Sequence, residues 1–312
     1  MRTVFMGTPR FALPVLSALI DAAHEVVGVY TQPDRSAGRG KRPSSSAVKR
    51  FALDRGLAVY QPASLRQHRE QDVLASLSPE VIVVAAYGLF LPSRTLALPP
   101  LGCLNVHPSL LPRNRGPSPV ATTVLNGDSV TGVTIIRLDR GMDTGPIVAQ
   151  RETTIGPDEN ASELTDRLFE MGASLLVEVL PEWAEGRIQA RPQDESRATT
   201  TRLLTREDGE IDWGLGVVRI ARQVLAYAPW PGSFTHWRGR LLKVIESSAL
   251  VATSTAPSPP GLVLSLPKGG LGIATGEGVL EVRQLQLEGR KAVSASEFAR
   301  GYPDLVGSRL GS

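Results

Sequence analysis

A chain of 312 residues exceeds what one hydrophobic core usually sustains, so two domains are expected. A hydrophobic content of 42% with 21% charged residues is that of a soluble globular protein, and a formal charge of only +3 excludes nucleic-acid binding by net charge alone. The single cysteine, Cys103, excludes an internal disulfide framework and points to a reducing compartment, the cytoplasm.

The opening MRTVFMGTPRF has a short apolar run broken by Gly7 and Pro9, so residues 2–6 read as a strand and not as a signal-peptide core. Further β-branched runs predict strands at 25–31, 57–60, 80–86, 102–107, 131–138 and 146–152. Amphipathic segments lie between them, such as LPVLSALIDAA and SLRQHREQDVLASL, and a long one follows over 161–185. This alternation specifies an α/β fold, a Rossmann-like and mostly parallel sheet with helices on both faces. The longest apolar run, VIVVAAYGLFLP from Val81, falls short of the roughly 20 residues a membrane span needs, so no membrane segment is expected.

Beyond the polar stretch 188–207 the texture changes. Short strand-like runs, GSFTHW, RLLKVIES, GLVLSLPKGGLGIAT and GVLEVRQLQLEG, are separated by Gly and Pro, which predicts a small antiparallel, OB-like barrel. The expected organisation is a first domain over 1–187, a linker over 188–207 and a second domain over 208–312. STAPSPPG, at 254–261, reads as a surface turn within the second domain.

One strand carries an anomaly. In LNVHPSLLPRNRG, Asn105 and His107 are two residues apart, so they project from the same side of a strand that Pro108 stops. This places them at a carboxyl end of the sheet, where ligands of α/β proteins bind. Read alone, the pair fits a satisfied core histidine beside a loop-bonded asparagine as well as it fits a functional couple. A second loop, LDRGMDTGP, places Asp143 between Gly141 and Gly145, where a carboxylate can approach a neighbouring strand end; Asp139 reads as a turn aspartate. No nucleophile is well placed, since Cys103 lies deeper on the strand and Ser109 beyond its end. His24, His68 and His236 lack ligand spacing, so no metal is expected. Direct transfer between two bound substrates remains: an amide to stabilise an oxyanion, a histidine to move protons and a carboxylate to orient it. The single glycine of GTPRF, and AGRG followed by KRPSSS, do not make a dinucleotide fingerprint, so no nucleotide is expected.

The connection from Thr31 to about Ala47 is longer than a tight loop and sets Arg35, Arg39, Lys41 and Arg42 against Asp34. By itself it fits a solvated basic loop as well as a phosphate-binding one.

LNVHPSLLPRNRGPSP together with TGVTIIRLDRGMDTG resembles the signature of the folate-dependent formyltransferases. FMGTPRFALPVL, YTQPDRSAGRGKRPSSSAVK, VIVVAAYGLFLP, EDGEIDW and YAPWPGSF are similar to the branch that acts on methionyl-tRNA, and the likeness runs in order through nearly the whole chain. It implies catalytic roles for Asn105, His107 and Asp143. It implies 10-formyltetrahydrofolate as a formyl-donor substrate, with no tightly bound cofactor, against Ala86, Tyr87, Gly88, Ser109, Leu110, Leu111 and Pro112. The acceptor implied is methionyl initiator tRNA, reached by Arg35, Arg39, Lys41 and Arg42, with the second domain holding the tRNA body and a monomer as the working form. Relatives acting on nucleotide sugars or glycinamide ribonucleotide, formate-releasing hydrolases, and a non-catalytic RNA-binding protein are the competing readings. Arg10, Asn114 and Leu203 depart from the family pattern, where an acidic residue, an aromatic residue and a nearby lysine are common.

Overall fold

Alternate burial explains the first sheet. The computed structural model describes residues 1–37, 42–250 and 258–311. In β1 (Arg2–Gly7), Phe5 faces one apolar layer while Val4 and Met6 face the other. The same alternation divides β6 (Val81–Ala85) and β7 (Cys103–His107): Val81, Val83, Leu104 and Val106 go one way, Ile82, Val84 and Cys103 the other. Both faces are covered, so these strands read as continuous apolar runs.

The remaining strands of the first unit are β2 (Glu25–Tyr30), β3 (Arg35–Ala37), β4 (Arg42–Ser44), β5 (Val59–Tyr60), β8 (Val130–Arg137) and β9 (Ile147–Thr154). Among the described residues the main sheet runs β5-β2-β1-β6-β7-β8-β9. The first five pair in parallel, and β8 and β9 extend the sheet antiparallel. The chain builds outward from β1 through β2 to β5, then returns to the other side of β1 at β6. Gly7 and Ala85 therefore end β1 and β6 side by side at the carboxyl edge. The helices are α1 (Leu13–Asp21), α2 (Ala47–Asp54), α3 (His68–Ser76), α4 (Ser93–Leu96), α5 (Pro119–Asn126) and α6 (Ala161–Ala184).

In α6, Phe169, Ala173, Leu176 and Leu180 form one helical stripe against the layer containing Val106. Each large apolar side chain fully buried there contributes roughly 1.5–3 kcal/mol. Close approach depends on Gly172, where an added Cβ would come within 2.5 Å of Val106 Cγ1. A larger residue at that position would push α6 off the strand that carries the site.

Contacts divide the chain into two units. The first comprises Met1–Pro119, Val130–Thr154 and Thr165–Thr201; the second comprises Val120–Ser129, Ile155–Leu164 and Arg202–Ser312. Much of the stretch expected as a linker is bonded into the first unit: Arg191 exchanges backbone hydrogen bonds with Ile147, and Arg115 N donates to Thr199 O at 2.9 Å.

The second unit holds α7 (Val217–Ala226), β10 (Ser233–Trp237), β11 (Arg240–Leu250), β12 (Val263–Leu266), β13 (Gly270–Ala274), β14 (Val279–Leu287), β15 (Val293–Ser294) and α8 (Ala295–Gly301). Its sheet is antiparallel in the order β10-β11-β14-β13-β12, with β15 on β14. The run GLVLSLPKGGLGIAT is a hairpin, β12 and β13 joined by a turn over Pro267–Gly269. The C-terminal segment bonds to both edges of this sheet. Gly307 N donates to Val263 O beside β12, and Gly311 N donates to His236 O in β10. It thereby bridges the open sides as in a barrel. α7 buries Val217, Ile220 and Val224 in this unit's core. No helix among the described residues is long and apolar enough to cross a membrane.

Candidate active site

The parallel register sets Val84 opposite Asn105, so the turn after β6 and the polar end of β7 lie next to one another at the carboxyl edge. Asn105 is partly exposed, and among the described residues its amide makes no hydrogen bond. His107 is 4% exposed. Its Nε2 lies 3.1 Å from the carbonyl oxygen of Asn114. A carbonyl only accepts, so Nε2 carries the proton and donates, leaving Nδ1 as the nitrogen with a free lone pair. Asp143 Oδ2 stands 3.6 Å from that Nδ1.

Burial pushes the His107 pKa below the ordinary histidine value, while the Asp143 carboxylate and the Asn114 carbonyl act in the opposite direction. Burial is the larger effect, so the resting ring is neutral.

Asp143 takes a left-handed backbone, φ 56°, and its Oδ2 accepts a hydrogen bond from Gly116 N at 2.8 Å. The flanking Gly145 is required by space, because an added Cβ would fall 1.9 Å from the carbonyl of Arg137. Asp139 is a turn residue, accepting from Gly141 N and Thr144 Oγ1. Cys103 is buried, and burial pushes its thiol up to about 12, which keeps it protonated and unreactive.

The turn after β6 has Ala86 at φ 50° and Gly88 at φ 79°. The Tyr87 side chain between them is buried, and its carbonyl already accepts from Thr8 Oγ1 and Gln32 Nε2. Surface in this turn therefore comes from Ala86 and Gly88. In the other turn, Ser109 and Leu111 are buried while Leu110 and Pro112 are partly exposed. Thr134, on β8 opposite His107, fixes this turn: its hydroxyl donates to Ser109 O at 2.6 Å and accepts from Leu111 N at 3.1 Å. Gln150 Nε2 adds bonds to Leu111 O at 2.7 Å and to Thr134 Oγ1 at 3.0 Å.

Neither Thr134 nor Gln150 stands out in sequence, and the same holds for Arg115 and Gln193. Arg115 is buried, forks onto Glu195 and donates to Gln193 Oε1. Such partners lie tens of residues apart, and only a buried arginine in RNRG hints that a counter-charge must exist.

In the basic connection, Arg35 and Arg42 stand in the paired strands β3 and β4, while Arg39 and Lys41 lie outside the described residues. The root is held by Asp34, which pairs with Lys49 at 2.7 Å and accepts from Gln61 at 2.9 Å. Of the departures, Arg10 pairs with Asp166 at 2.5 Å, Asn114 takes a left-handed φ of 60° beneath His107, and Leu203 is exposed.

A family model described as formyl transferase matches residues 1–180, and one described as formyl transferase, C-terminal domain, matches residues 203–303. The chain belongs to the formyl transferase family. It is 49% identical to the methionyl-tRNA formyltransferase of Chloroflexus aurantiacus, over 96% of this chain and 97% of that one. It is 48% identical to the methionyl-tRNA formyltransferase of Roseiflexus castenholzii, over 100% and 99%. Among solved structures, HypX from Aquifex aeolicus in complex with tetrahydrofolic acid shares the fold with a TM-score of 0.64 at 17% identity, over 98% of this chain and 48% of that one. The chain thus spans about half the length of HypX.

Proposed function

We propose that this protein transfers the formyl group of 10-formyltetrahydrofolate to the α-amino group of methionyl initiator tRNA, for the start of translation in the cytoplasm. The observation that carries this reading is the pairing of His107 with Asp143 beside the unpartnered amide of Asn105, in a chain nearly half identical to methionyl-tRNA formyltransferases. The tetrahydrofolate bound by HypX supports a folate donor.

The amine, with a pKa near 8 or below as an α-amino group, has a neutral, nucleophilic fraction at physiological pH, where the histidine is neutral too. Its nitrogen bonds to the formyl carbon, and the carbonyl oxygen gains the charge. Asn105 donates to that oxyanion, which is worth roughly 3 kcal/mol by analogy with measured oxyanion donors. The attacking nitrogen passes its proton to His107 Nδ1, and the imidazolium so formed meets the Asp143 carboxylate. As the bond from the formyl carbon to the folate nitrogen breaks, His107 returns the proton to that nitrogen. The neutral resting state set by burial is the state this cycle needs at its start.

The donor lies against the turns at 86–88 and 109–112. Arg35, Arg39, Lys41 and Arg42 reach the acceptor arm, and residues 208–312 hold the tRNA body through phosphates. Asn105, His107 and Asp143 come from one chain, so a monomer suffices. Incubation with 10-formyltetrahydrofolate and methionyl initiator tRNA should yield formyl-methionyl-tRNA, whereas uncharged tRNA should take no formyl group. Release of formate without formylated tRNA would instead identify a hydrolase.

A further inference from the structure

Three successive residues hold the two halves of the proton-handling pair. Asn114 O accepts from His107 Nε2, and Gly116 N donates to Asp143 Oδ2. Between them, Arg115 turns its side chain toward Gln193, whose Oε1 accepts from Nε at 3.0 Å and from Nη2 at 2.8 Å. The Gln193 amide nitrogen faces the other way and donates to Asp143 O and to Gly145 O, each at 2.7 Å. One buried side chain therefore joins the 114–116 segment to the loop carrying Asp143. Glu195 fixes the far side of the Arg115 guanidinium at 2.9 and 2.7 Å.

We propose that Gln193 is a positioning residue for the transfer reaction, holding the Asp143 loop in register with His107 through Arg115. This rests on the reading of His107 and Asp143 as the proton-handling pair. Asp143 sits in a left-handed backbone conformation that a non-glycine residue adopts at a cost, so its loop needs outside anchors to keep it there. Gly116 N anchors the carboxylate and Gln193 anchors the backbone. At 3.6 Å the Nδ1–Oδ2 separation is just beyond hydrogen-bond length, so a small displacement decides whether a proton on Nδ1 finds its acceptor. The side chain of Gln193 also makes the stretch after residue 187 part of the site, which no local sequence pattern announces.

Two variants separate positioning from support of Arg115. Gln193→Glu keeps an acceptor for Arg115 but loses the donor to the loop, and Gln193→Met loses both while staying neutral and similar in size. Both should lower kcat about tenfold or more with the KM for 10-formyltetrahydrofolate within about twofold, as expected when a group remote from the substrate misplaces a reacting one. A proton NMR titration of His107 gives a second readout that needs no substrate. The charged group facing His107 is Asp143, while Arg115 acts in turn on Asp139 and Asp143. Withdrawing the Asp143 carboxylate in Gln193→Met should move the His107 midpoint to lower pH.

If the unaltered protein fails to formylate methionyl-tRNA, the functional reading falls, and the His107 shift still tests the positioning role. Full activity of folded Gln193→Glu would mean that Gln193 serves only Arg115, and would overturn the proposal. An unchanged His107 midpoint in folded Gln193→Met would overturn it too. Should Gln193→Met not fold, the kcat of Gln193→Glu decides.

Discussion

His107 Nδ1 faces Asp143 Oδ2 at 3.6 Å, while the opposite ring nitrogen is committed to the carbonyl of Asn114. The ring therefore has one nitrogen committed to a structural bond, and the proposed mechanism uses the other. Burial lowers the pKa of His107, so its charged form should appear only below the ordinary histidine midpoint of about 6.5. Asp143 works against burial by favouring the charged form. Asp143→Asn removes that charge, and the His107 midpoint should fall further. The same variant should lower kcat by about 100-fold, since the imidazolium formed during transfer loses its counter-charge. An unchanged midpoint in Asp143→Asn would show that the carboxylate does not act on the ring.

Asn105 differs from its neighbours because, among the described residues, nothing bonds to its side-chain amide. Truncation should therefore cost chemistry and not stability. Asn105→Ala is expected to reduce kcat by roughly 100-fold, the size of one lost oxyanion donor, while the unfolding free energy changes by less than about 1 kcal/mol. Single-turnover transfer beside a urea titration measures both. A large stability loss with a small rate effect would assign Asn105 to the fold.

The polar pair and the glycine-flanked aspartate were legible because each rests on a local rule. Residues two apart on a strand share a face, Pro108 ends that strand, and Gly145 permits a turn that approaches a carbonyl. The alternating segments of the first unit were legible for the same reason, and β7 begins and ends within a residue of its expected bounds. Thr134, Gln150, Arg115 and Gln193 were not legible. Each is an ordinary polar residue until folding brings a partner to it, as with Gln193 and Arg115, 78 positions apart. α7 was hidden by its surroundings: Val217, Ile220 and Val224 follow helical spacing, but Gly and Pro on both sides gave the region the texture of short strands. The charge state of His107 was also beyond sequence, since it depends on how deeply the strand end is covered.

Thr134 ties the 109–112 turn to the sheet through one hydroxyl that donates once and accepts twice. Thr134→Val keeps the shape and removes all three bonds. Ser109 O and Leu111 N would each lose their Thr134 partner in a buried setting, so stability should drop by about 2 kcal/mol. If the turn supports the donor, the KM for 10-formyltetrahydrofolate should rise several-fold while kcat with saturating donor changes little. Denaturant unfolding and donor titration by fluorescence test the two halves separately. Weaker stability with unchanged donor affinity would remove this turn from the donor site.

The basic connection offers a test independent of the proton chemistry. Asp34, Lys49 and Gln61 hold its root, and β3 and β4 project from that root as an antiparallel pair. Arg39 lies between Gly38 and Gly40 in the segment joining them, outside the described residues. If Arg39 reaches the acceptor arm, Arg39→Ala should lower kcat/KM for methionyl initiator tRNA while leaving folate affinity unchanged. A guanidinium that contacts a phosphate releases a counterion on binding, so its loss should also reduce the salt slope of tRNA binding by about one unit. One that only steers the acceptor end would lower kcat/KM without altering that slope. Both outcomes are read from a salt series of kcat/KM beside donor binding followed by fluorescence. Unchanged tRNA kinetics at every salt concentration would make the connection a solvated surface loop and leave residues 208–312 to hold the RNA.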